Sequence, residues 1–252
     1  MEGLKGEPGD KHLVVFGCAH SGSKSADIRD LEKYLQLLDL PNVWGIGLGD
    51  WFENAIPSRG LGMTFEQSLT PDEQIDEIAR MIRPRKRKFI AAVTSNHSYR
   101  TYEACGIDMD HRMWKELGMS HIYRGLEGTV VFAGKRIAFA HGLGYGTNEW
   151  GDARKLMAAY PTVDLVLVSH RHEMAGKWHG NFTVDRRGTK QKRDILFART
   201  GGLMNWARYA RKELYTPQRR GFTIITFHAD GDMSYDANGR TLSRLDRIRN
   251  SR

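Results

Sequence analysis

The sequence contains few cysteines and no long apolar run, and each absence narrows the classes of protein that it can encode. Its two cysteines, Cys18 and Cys105, are too few for a disulfide framework. No stretch approaches the roughly 18–20 apolar residues that cross a bilayer. The polar, glycine-rich residues 1–12 do not resemble a signal peptide. We therefore expect a protein of the reducing cytoplasm that has no membrane association.

Repeats, low-complexity segments and clear linkers are also absent from the 252 residues, which predicts a single domain over 1–252. A hydrophobic content of 40% and a charged content of 27% are ordinary for a globular protein with a sizeable core. The net charge of +8 is compatible with an anionic partner, including nucleic acid. A merely basic surface explains this charge equally well. The sequence leaves the oligomeric state unknown.

The first half of the sequence alternates between short buried strands and amphipathic helices. Apolar residues recur at helical spacing over residues 28–38. A second helix begins at Thr70, where Pro71 occupies the first helical position and Glu73 completes a capping box. The predicted strands are 13–18, 43–48 and 89–93. This alternation predicts a layered α/β fold.

The second half is richer in strands. Residues 128–132 and 136–140 flank a glycine turn and predict a hairpin. A helix near 150–159 leads into a buried strand at 165–168. Further strands are predicted at 178–185, 194–200, 222–228 and 232–236. The segments predicted to be irregular are the loop 55–69, the basic loop 186–193 and the polar tail from Arg240, which has at most the features of a frayed helix.

Residue types that bind metals follow the predicted strands. Five short segments close a strand or begin just after one, and they carry His20, Asp50, Asn96, His141, His170 and His172. In open α/β sheets, sites form at the carboxyl ends of the strands, so ligands from distant segments can converge there. His170 and His172 are two residues apart and would share one face of an extended strand. The ordered set therefore predicts a metal centre, although no single pair would.

The order of these segments resembles that of the calcineurin-like metallophosphoesterases. The blocks of that family are Asp-x-His, Gly-Asp-x-x-(Asp/Asn), Gly-Asn-His-(Glu/Asp), a His followed by Gly, and Gly-His-x-His. Their counterparts lie between residues 16 and 172, and the stretches 42–55 and 200–206, with 209–210, are similar to small phage and prokaryotic members. Each motif alone is weakly specific, but the complete order is highly specific and covers most of the chain. The resemblance implies a four-layer α/β/β/α sandwich.

The resemblance also implies a binuclear centre of two divalent or mixed-valence metal ions. One ion would be held by Cys18, His20, Asp50 and His172, and the other by Asp50, Asn96, His141 and His170. Asp50 would bridge the two ions with its two oxygens. A hydroxide held by the metals would attack phosphorus in line with the leaving group. Two ions about 3.5–4 Å apart lower the pKa of water and clamp the phosphoryl oxygens.

Three further residues are implied to act on the substrate. His97 would not bind a metal and would either protonate the leaving oxygen or stabilise the transition state. Arg100 would help to hold the phosphate. Asn54 would either contact the substrate or fix its loop, and the sequence leaves both roles open.

The chain departs from the family pattern at three positions. Cys18 replaces the usual first aspartate, Ser95 a glycine, and Ser98 the acidic residue after His97, where the change could alter the orientation or the pKa of that histidine. A thiolate keeps the charge of −1, but its bond to zinc is longer, at about 2.3 Å against 2.0–2.2 Å for a carboxylate oxygen. This ligand favours zinc or iron, with manganese a third candidate, over magnesium or calcium. Alternatively, Cys18 does not coordinate and the first metal site is weak.

The predicted reaction is metal-dependent hydrolysis of a phosphate ester. Phosphodiesters are favoured over monoesters because small members of the resembling family are often phosphodiesterases and no large cap domain is present. Loops 55–69 and 186–193 are candidates for selecting the substrate. The alternatives are a nuclease acting on DNA or RNA, which the net charge and the basic run 83–88 support, and a metal-binding module with little catalysis.

The remaining histidines and the aromatic residues have weaker context. A structural or solvated role is expected for His12, His111, His121, His179 and His228. Of these, His179 is the candidate for lining the cleft, because it follows the last motif by seven residues. Stacking on a substrate is an alternative to core packing for Trp51, Phe52, Trp150, Trp178 and Trp206.

Overall fold

Two five-stranded sheets form the centre of the protein. The computed structural model describes residues 9–56, 67–142, 149–184, 187–205, 219–237 and 239–251. The strands within these ranges are β1 Lys11–Phe16, β2 Val43–Gly47, β3 Phe89–Ala92, β4 Glu127–Phe132, β5 Lys135–Ala140, β6 Leu165–Val168, β7 Ala175–Val184, β8 Lys190–Arg199, β9 Ile224–Phe227 and β10 Met233–Asp236. The helices are α1 Ile28–Gln36, α2 Pro71–Ile82, α3 Asn96–Cys105, α4 Met109–Glu116, α5 Gly151–Ala159 and α6 Arg240–Asn250.

Each sheet contains three neighbouring parallel strands, and its other two strands are joined by antiparallel pairing. The first sheet has the order β10-β9-β1-β2-β3, in which β1, β2 and β3 are parallel. The second has the order β4-β5-β6-β8-β7, in which β5, β6 and β8 are parallel. The carboxyl ends of the parallel strands therefore share one edge within each sheet, which is where ligand-bearing loops are expected.

The two sheets pack face to face, and alternation along the strands separates the layers. In β1, Leu13 and Val15 face the core between the sheets, whereas Val14 and Phe16 pack on the helical side. In β6, Leu165 and Leu167 face the same central core. Residues of α1, α2, α4 and α6 cover the first sheet, and residues of α5 cover the second. This arrangement confirms the α/β/β/α sandwich.

Helix α2 begins as the sequence predicts. The Thr70 side chain accepts a hydrogen bond from the Glu73 amide, and the Glu73 carboxylate accepts one from the Thr70 amide at 2.7 Å. This capping box satisfies two of the amides that a helix start leaves unpaired. The buried face of α2 then packs against the first sheet through Ile75, Ile78, Ala79 and Ile82.

The basic run after α2 is a 3₁₀ helix, Arg83–Lys88, whose side chains are largely engaged within the protein. Arg83 pairs with Glu116 at 2.8 Å, and Arg85 pairs with Asp39 at 2.8 Å. Lys86 and Lys88 donate to main-chain carbonyl groups at 2.6 and 2.8 Å. The run therefore fastens α2 and β3 to neighbouring elements, which removes much of its support for nucleic-acid binding.

The structure corrects several predicted boundaries. Strands β7 and β8 are longer than predicted, and residues 190–193 belong to β8, so the prediction of a loop over 186–193 was wrong there. The pairing of Val184 with Lys190 extends the ladder into this charged stretch. Helices α3 and α4 were not predicted, and the tail from Arg240 is a regular helix.

Parts of several predictions lie outside the described residues. These parts are 57–66 of the loop 55–69, residue 185 of the strand 178–185, residue 186 of the basic loop, and Trp206 with residues 209–210. Within the described part of the chain, no helix has the length and apolarity of a membrane span. The single domain over 1–252 and the cytoplasmic location stay predictions.

Candidate metal centre

The candidate ligands lie on loops that continue the hydrogen-bond ladders past the ends of the strands. In the first sheet, the Cys18 amide donates to the Gly49 carbonyl and the His20 amide to the Asp50 carbonyl, both at 3.0 Å. In the second sheet, the Ser169 amide donates to the His141 carbonyl at 2.9 Å. Backbone pairing thus holds neighbouring loops in register before any side chain takes part.

Five of the seven candidate ligands have a left-handed backbone conformation. Their φ angles are 53° at Cys18, 52° at His20, 50° at Asp50, 74° at His170 and 55° at His172. Residues other than glycine are uncommon in this region, and each such residue costs on the order of 1–3 kcal/mol. Strain of this kind clusters at functional sites, so its concentration at these strand ends supports the site that the motif order predicts.

One group of ligand atoms forms around His20 and His172. Their Nε2 atoms lie 3.0 Å apart. The Cys18 thiol belongs to the same group, in which one atom from each residue lies within 4.8 Å of the others. Tetrahedral zinc with bonds of 2.0–2.1 Å places two ligand nitrogens about 3.3 Å apart. Two imidazoles facing each other at this spacing therefore fit a shared metal ion.

A second group forms around His141. Its Nε2 atom lies 3.0 Å from Asp50 Oδ2 and 3.1 Å from His170 Nδ1. Asn96 Oδ1 lies 3.1 Å from the same His170 nitrogen. Asp50 Oδ2 is also 3.8 Å from His20 Nε2, so this carboxylate lies between the two groups. All seven residues that the sequence selected as metal ligands are therefore brought together.

The buried anions of the site have depressed pKa values. Burial raises the pKa of the Cys18 thiol, but the adjacent His172 and His20 outweigh burial and hold it well below its ordinary value. Burial likewise raises the pKa of Asp50, while His141 and His97 lower it further than burial raises it. Both groups are therefore anions that need a compensating positive charge in the protein interior.

Two histidines carry that positive charge in the metal-free protein. Burial lowers the pKa of His20, but Cys18 and Glu53 raise it to about 10. Burial also lowers the pKa of His141, and Asp50 raises it to about 9. A metal ion must displace these protons in order to bind, because only neutral imidazole is a ligand. Metal binding here would therefore release protons.

His97 lies at the start of α3, against the same carboxylate. Its amide donates to Asp50 Oδ1 at 3.3 Å, and its Nδ1 donates to the Glu53 carbonyl at 2.6 Å. Arg100 Nη2 donates to His97 Nε2 at 3.0 Å. Burial lowers the pKa of His97 to about 4, so the ring is neutral at pH 7. A ring nitrogen of His97 also falls within 4.8 Å of ligand atoms of His20 and Asp50.

Asn54 links the loop after β2 to α3. Its side chain is fully buried, and Nδ2 donates to the His97 carbonyl at 2.6 Å and to Thr101 Oγ1 at 2.7 Å. The Asn54 amide donates to Gln74 Oε1 at 2.9 Å. Both donors of the Asn54 side chain are therefore engaged in holding α3 against the loop.

The site includes residues to which the sequence analysis assigned no part. Glu53 Oε2 accepts a hydrogen bond from His20 Nδ1 at 3.0 Å, and Ser169 Oγ lies 3.1 Å from Cys18 Sγ. Beneath α3, burial raises the pKa of Asp110 to about 7. Their positions in the sequence could have indicated both residues, because Glu53 follows Asp50 on the same loop and Ser169 directly precedes His170.

Ser95 has a structural role at the start of α3. It is the N-cap residue, and its hydroxyl accepts from the Ser98 amide at 3.4 Å. A serine in place of the glycine of the resembling family therefore caps the helix that carries Asn96 and His97.

The other histidines lie outside the metal centre. His12 Nδ1 is 3.0 Å from Thr226 Oγ1, and His228 pairs with Asp10. The rings of His111 and His179 stack on Tyr123 and Phe197 respectively.

Most of the singled-out aromatic residues pack inside the protein. Trp51 and Phe52 are fully buried in the core, and Trp150 is buried beneath Arg199 and Lys177. Trp178 differs, because 49% of its surface is exposed on β7.

Comparisons with known proteins find similar structures, but the comparisons of sequence find no match. No protein-family model matches the chain, and no curated protein matches it. An archaeal phosphodiesterase is 13% identical with a TM-score of 0.46, over 89% of this chain and 98% of that one. Vacuolar protein sorting 29 of Cryptosporidium parvum is 10% identical with a TM-score of 0.48, over 90% and 96%. The same protein of Entamoeba histolytica, solved with zinc, is 14% identical with a TM-score of 0.42, over 89% and 97%.

Proposed function

We propose that this protein is a metal-dependent phosphoesterase that hydrolyses phosphodiesters. The observation that carries the proposal is the convergence of seven metal-ligand residues from five separate segments into two groups that share Asp50. A carboxylate between two sets of ligands is the arrangement that a binuclear centre requires. The left-handed conformations of five of these residues support a functional origin for the cluster.

The donor set fits two metal ions. Cys18, His20, Asp50 and His172 would hold one ion, and Asp50, Asn96, His141 and His170 the other. A thiolate and several imidazoles favour zinc, iron or manganese over magnesium or calcium. Cys18 is assigned as a ligand because its depressed pKa gives a thiolate and its sulfur belongs to two of the candidate groups. When bound, the ions activate water and stabilise charge on the phosphoryl oxygens.

The protein side chains orient the phosphate and its leaving group. Arg100 holds a permanent positive charge next to His97 and is anchored by the Glu53 and Asn54 carbonyl groups at 3.2 and 3.5 Å. The neutral His97 ring donates through Nδ1 to the Glu53 carbonyl and accepts at Nε2 from Arg100, so it holds the Arg100 guanidinium in place to stabilise charge in the transition state. Asn54 is assigned to fixing this loop rather than to contacting the substrate, because its side chain is fully buried.

The experiment uses protein stripped of metal by a chelator and then supplied with zinc, manganese or iron. Hydrolysis of bis(p-nitrophenyl) phosphate and p-nitrophenyl phosphate is measured for the wild type, Asp50→Asn and His97→Ala. We expect metal-dependent turnover that is faster for the diester. Asp50→Asn should lose both metal and activity, whereas His97→Ala should lose about 10²–10⁴-fold in rate with its metal retained. His179→Ala, which alters a histidine outside the centre, is the matched control and should behave as the wild type.

The competing hypothesis is a metal-binding module with little catalysis. It predicts stoichiometric metal binding and no turnover of either ester. Bound metal together with zero hydrolysis under all three metals would therefore refute the phosphoesterase proposal and support this module.

A further inference from the structure

The β7–β8 hairpin extends beyond the sheet to which it belongs. The two strands pair along their whole length, from Ala175 opposite Arg199 to Val184 opposite Lys190. Its neighbour β6 pairs with β8 only over the last four residues, Leu196 to Arg199. The outer part of the hairpin is therefore a two-stranded ribbon, an element that is marginally stable by itself. Side chains exposed on such a ribbon contribute little to the core.

Two aromatic rings are exposed on one face of this hairpin. Trp178 is 49% exposed and Phe182 is 56% exposed. Side chains two or four residues apart in a strand point to the same side, so these rings share a face and lie about 13 Å apart along β7. Gly180 lies between them and has no side chain. The rings therefore border an open slot instead of packing against each other.

Basic side chains lie around Phe182 and the neighbouring Gly180. In the paired strand, Lys192 lies opposite Phe182, and Lys190 places its Nζ atom 4.0 Å from the centroid of the Phe182 ring. The Cε atom of Lys192 lies 3.7 Å from the position that a β-carbon of Gly180 would occupy, so this lysine reaches over the slot. The Asp194 carboxylate lies 3.5 Å from the Lys192 amino group and 3.6 Å from the same β-carbon position. The face therefore combines flat apolar surfaces with cationic groups.

We propose that this aromatic–basic face, formed by Trp178, Phe182, Lys190 and Lys192, binds single-stranded nucleic acid. Exposed aromatic rings stack on unpaired bases of any sequence, and lysines beside them contact the phosphates. The positive charge of these lysines and the protein's net charge of +8 complement a polyanion. A duplex does not fit equally well, because its bases are already stacked on each other.

The geometry connects this face with the metal centre without depending on its activity. Strand β7 begins at Ala175, three residues after the candidate ligand His172, and Trp178 follows three residues later. Six residues span at most about 22 Å. A single-stranded nucleic acid bound to the face would therefore reach the candidate metal centre within a few nucleotides. The proposal goes beyond the phosphoesterase assignment, because binding requires neither metal nor catalysis.

The basic run Arg83–Lys88 provides a contrast within the same chain. Most of its cationic groups are engaged by Glu116, Asp39 and main-chain carbonyl groups. The lysines of the aromatic–basic face instead lie over an aromatic ring or beside an exposed carboxylate. Lys192 and Asp194 are both largely exposed, so their ion pair can be exchanged for contact with a phosphate.

The test measures fluorescence anisotropy of fluorescein-labelled oligothymidylate with the full chain and a chelator present, so that no cleavage occurs. Replacing either ring, in Trp178→Ala or Phe182→Ala, should weaken binding about tenfold, and Trp178→Tyr should largely preserve it. The double variant Lys190→Ala with Lys192→Ala should reduce the slope of log K against log salt by about 1.4. A duplex of the same length should bind more weakly than the single strand.

Matched controls test whether the effects are specific to the aromatic–basic face or follow from the loss of any exposed apolar or charged side chain. Val131→Ala removes an apolar side chain that is 69% exposed on β4, at the opposite edge of the same sheet. Lys115→Ala with Lys155→Ala removes two lysines from exposed helical positions. Val131→Ala should bind the oligonucleotide as the wild type does. The double lysine control should lose only the small amount of affinity that follows from its lower net charge. Thermal melting and bis(p-nitrophenyl) phosphate hydrolysis check that each variant is folded.

Two outcomes overturn the proposal. Equal affinity of the wild type and both aromatic variants would show that the rings do not take part. A concentration-dependent dimer that Trp178→Ala abolishes, with no oligonucleotide binding, would show that a second copy covers this face. Failure of the phosphoesterase proposal is distinguishable, because it abolishes ester hydrolysis and leaves binding under the chelator unchanged.

Discussion

Glu53 Oε2 accepts a hydrogen bond of 3.0 Å from His20 Nδ1, and both side chains are almost completely buried. When His20 is neutral, as metal ligation requires, the bond keeps the proton on Nδ1 and leaves the lone pair on Nε2, which faces His172. Burial raises the pKa of Glu53, but His20 lowers it further, so the carboxylate is charged. A carboxylate in this position orients a metal-binding imidazole and increases its basicity.

Replacing this carboxylate should therefore weaken metal binding without unfolding the protein. We expect Glu53→Gln to reduce the affinity for the first ion about tenfold, because the amide keeps the shape and removes the charge. Competition with a chromophoric chelator measures the affinity directly. Glu116→Gln, which alters an exposed partner of Arg83, is the control and should bind metal as the wild type does. Unchanged affinity in Glu53→Gln would show that His20 is oriented without this bond.

Changing Cys18 to aspartate should alter which metal is preferred. An oxygen ligand is harder than sulfur, so Cys18→Asp should lower the ratio of zinc to manganese affinity while binding is retained. Titration of the stripped protein with each ion, followed by metal analysis, gives this ratio. Cys105→Ser changes the other, exposed cysteine and should leave it unaltered. The same ratio in Cys18→Asp and the wild type would mean that position 18 does not ligate.

Gly202 contacts the metal centre through its lack of a side chain. A β-carbon there would lie 3.0 Å from both Cβ and the carbonyl oxygen of Cys18 and 3.3 Å from Cγ of His172. Gly202→Ala should therefore displace these candidate ligands and reduce metal affinity at least tenfold. The protein should remain folded, as a thermal melt would show. Gly180→Ala is the matched control, because its added carbon meets ordinary contacts of 3.6 and 3.7 Å. Equal metal affinity in the two variants would contradict the close packing.

His12 should make the free energy of unfolding depend on pH away from the metal centre. Burial lowers its pKa from 6.5 to about 4, Asp10 raises it, and Arg244 and His228 lower it. Its Nε2 atom has no hydrogen-bond partner among the described residues, so protonation would leave a buried charge unpaired. Between pH 6.5 and about 4 the unfolded chain binds a proton that the folded chain does not. This contribution to stability is complete above pH 6.5 and falls by about 3 kcal/mol across that window.

The pH effect is measured as the difference between the wild type and His12→Asn in urea unfolding at pH 7 and near pH 4. The variant should lose less stability than the wild type as the pH falls, because asparagine does not titrate. His121→Asn, at an exposed position, should retain the wild-type pH dependence. Parallel losses in all three proteins would assign the acid sensitivity to other groups.

Much of the fold could be predicted because its central strands are short buried runs. Residues 43–48 and 165–168 are apolar enough to be recognised without their neighbours, and their observed bounds differ by at most one residue. The capping box at Thr70 is a local signal, and it forms as predicted. The candidate metal ligands could be selected because each of them follows the end of a predicted strand and their order along the chain is that of a known family.

The remainder depends on contacts that the sequence does not display. Helix α3 buries only His97 and Ser98, so it has no apolar periodicity to recognise. The charged start of β8 is exposed and lacks the alternation of a half-buried strand, although its pairing with β7 makes it one. The bond between Glu53 and His20 joins residues 33 positions apart. The left-handed conformations occur at residues other than glycine, which give no local signal of a positive φ.

Main-chain hydrogen bonds hold the loops that carry the candidate ligands. The geometry of these loops therefore does not depend on which side chains they carry. Main-chain groups, which every residue shares, keep Cys18 and His20 in register with Gly49 and Asp50. A substitution that changes a donor atom therefore inherits the same loop geometry. Over evolutionary time, such a scaffold would allow the preferred metal to change by single replacements, and a cysteine where the resembling family has aspartate is the kind of variation that it permits.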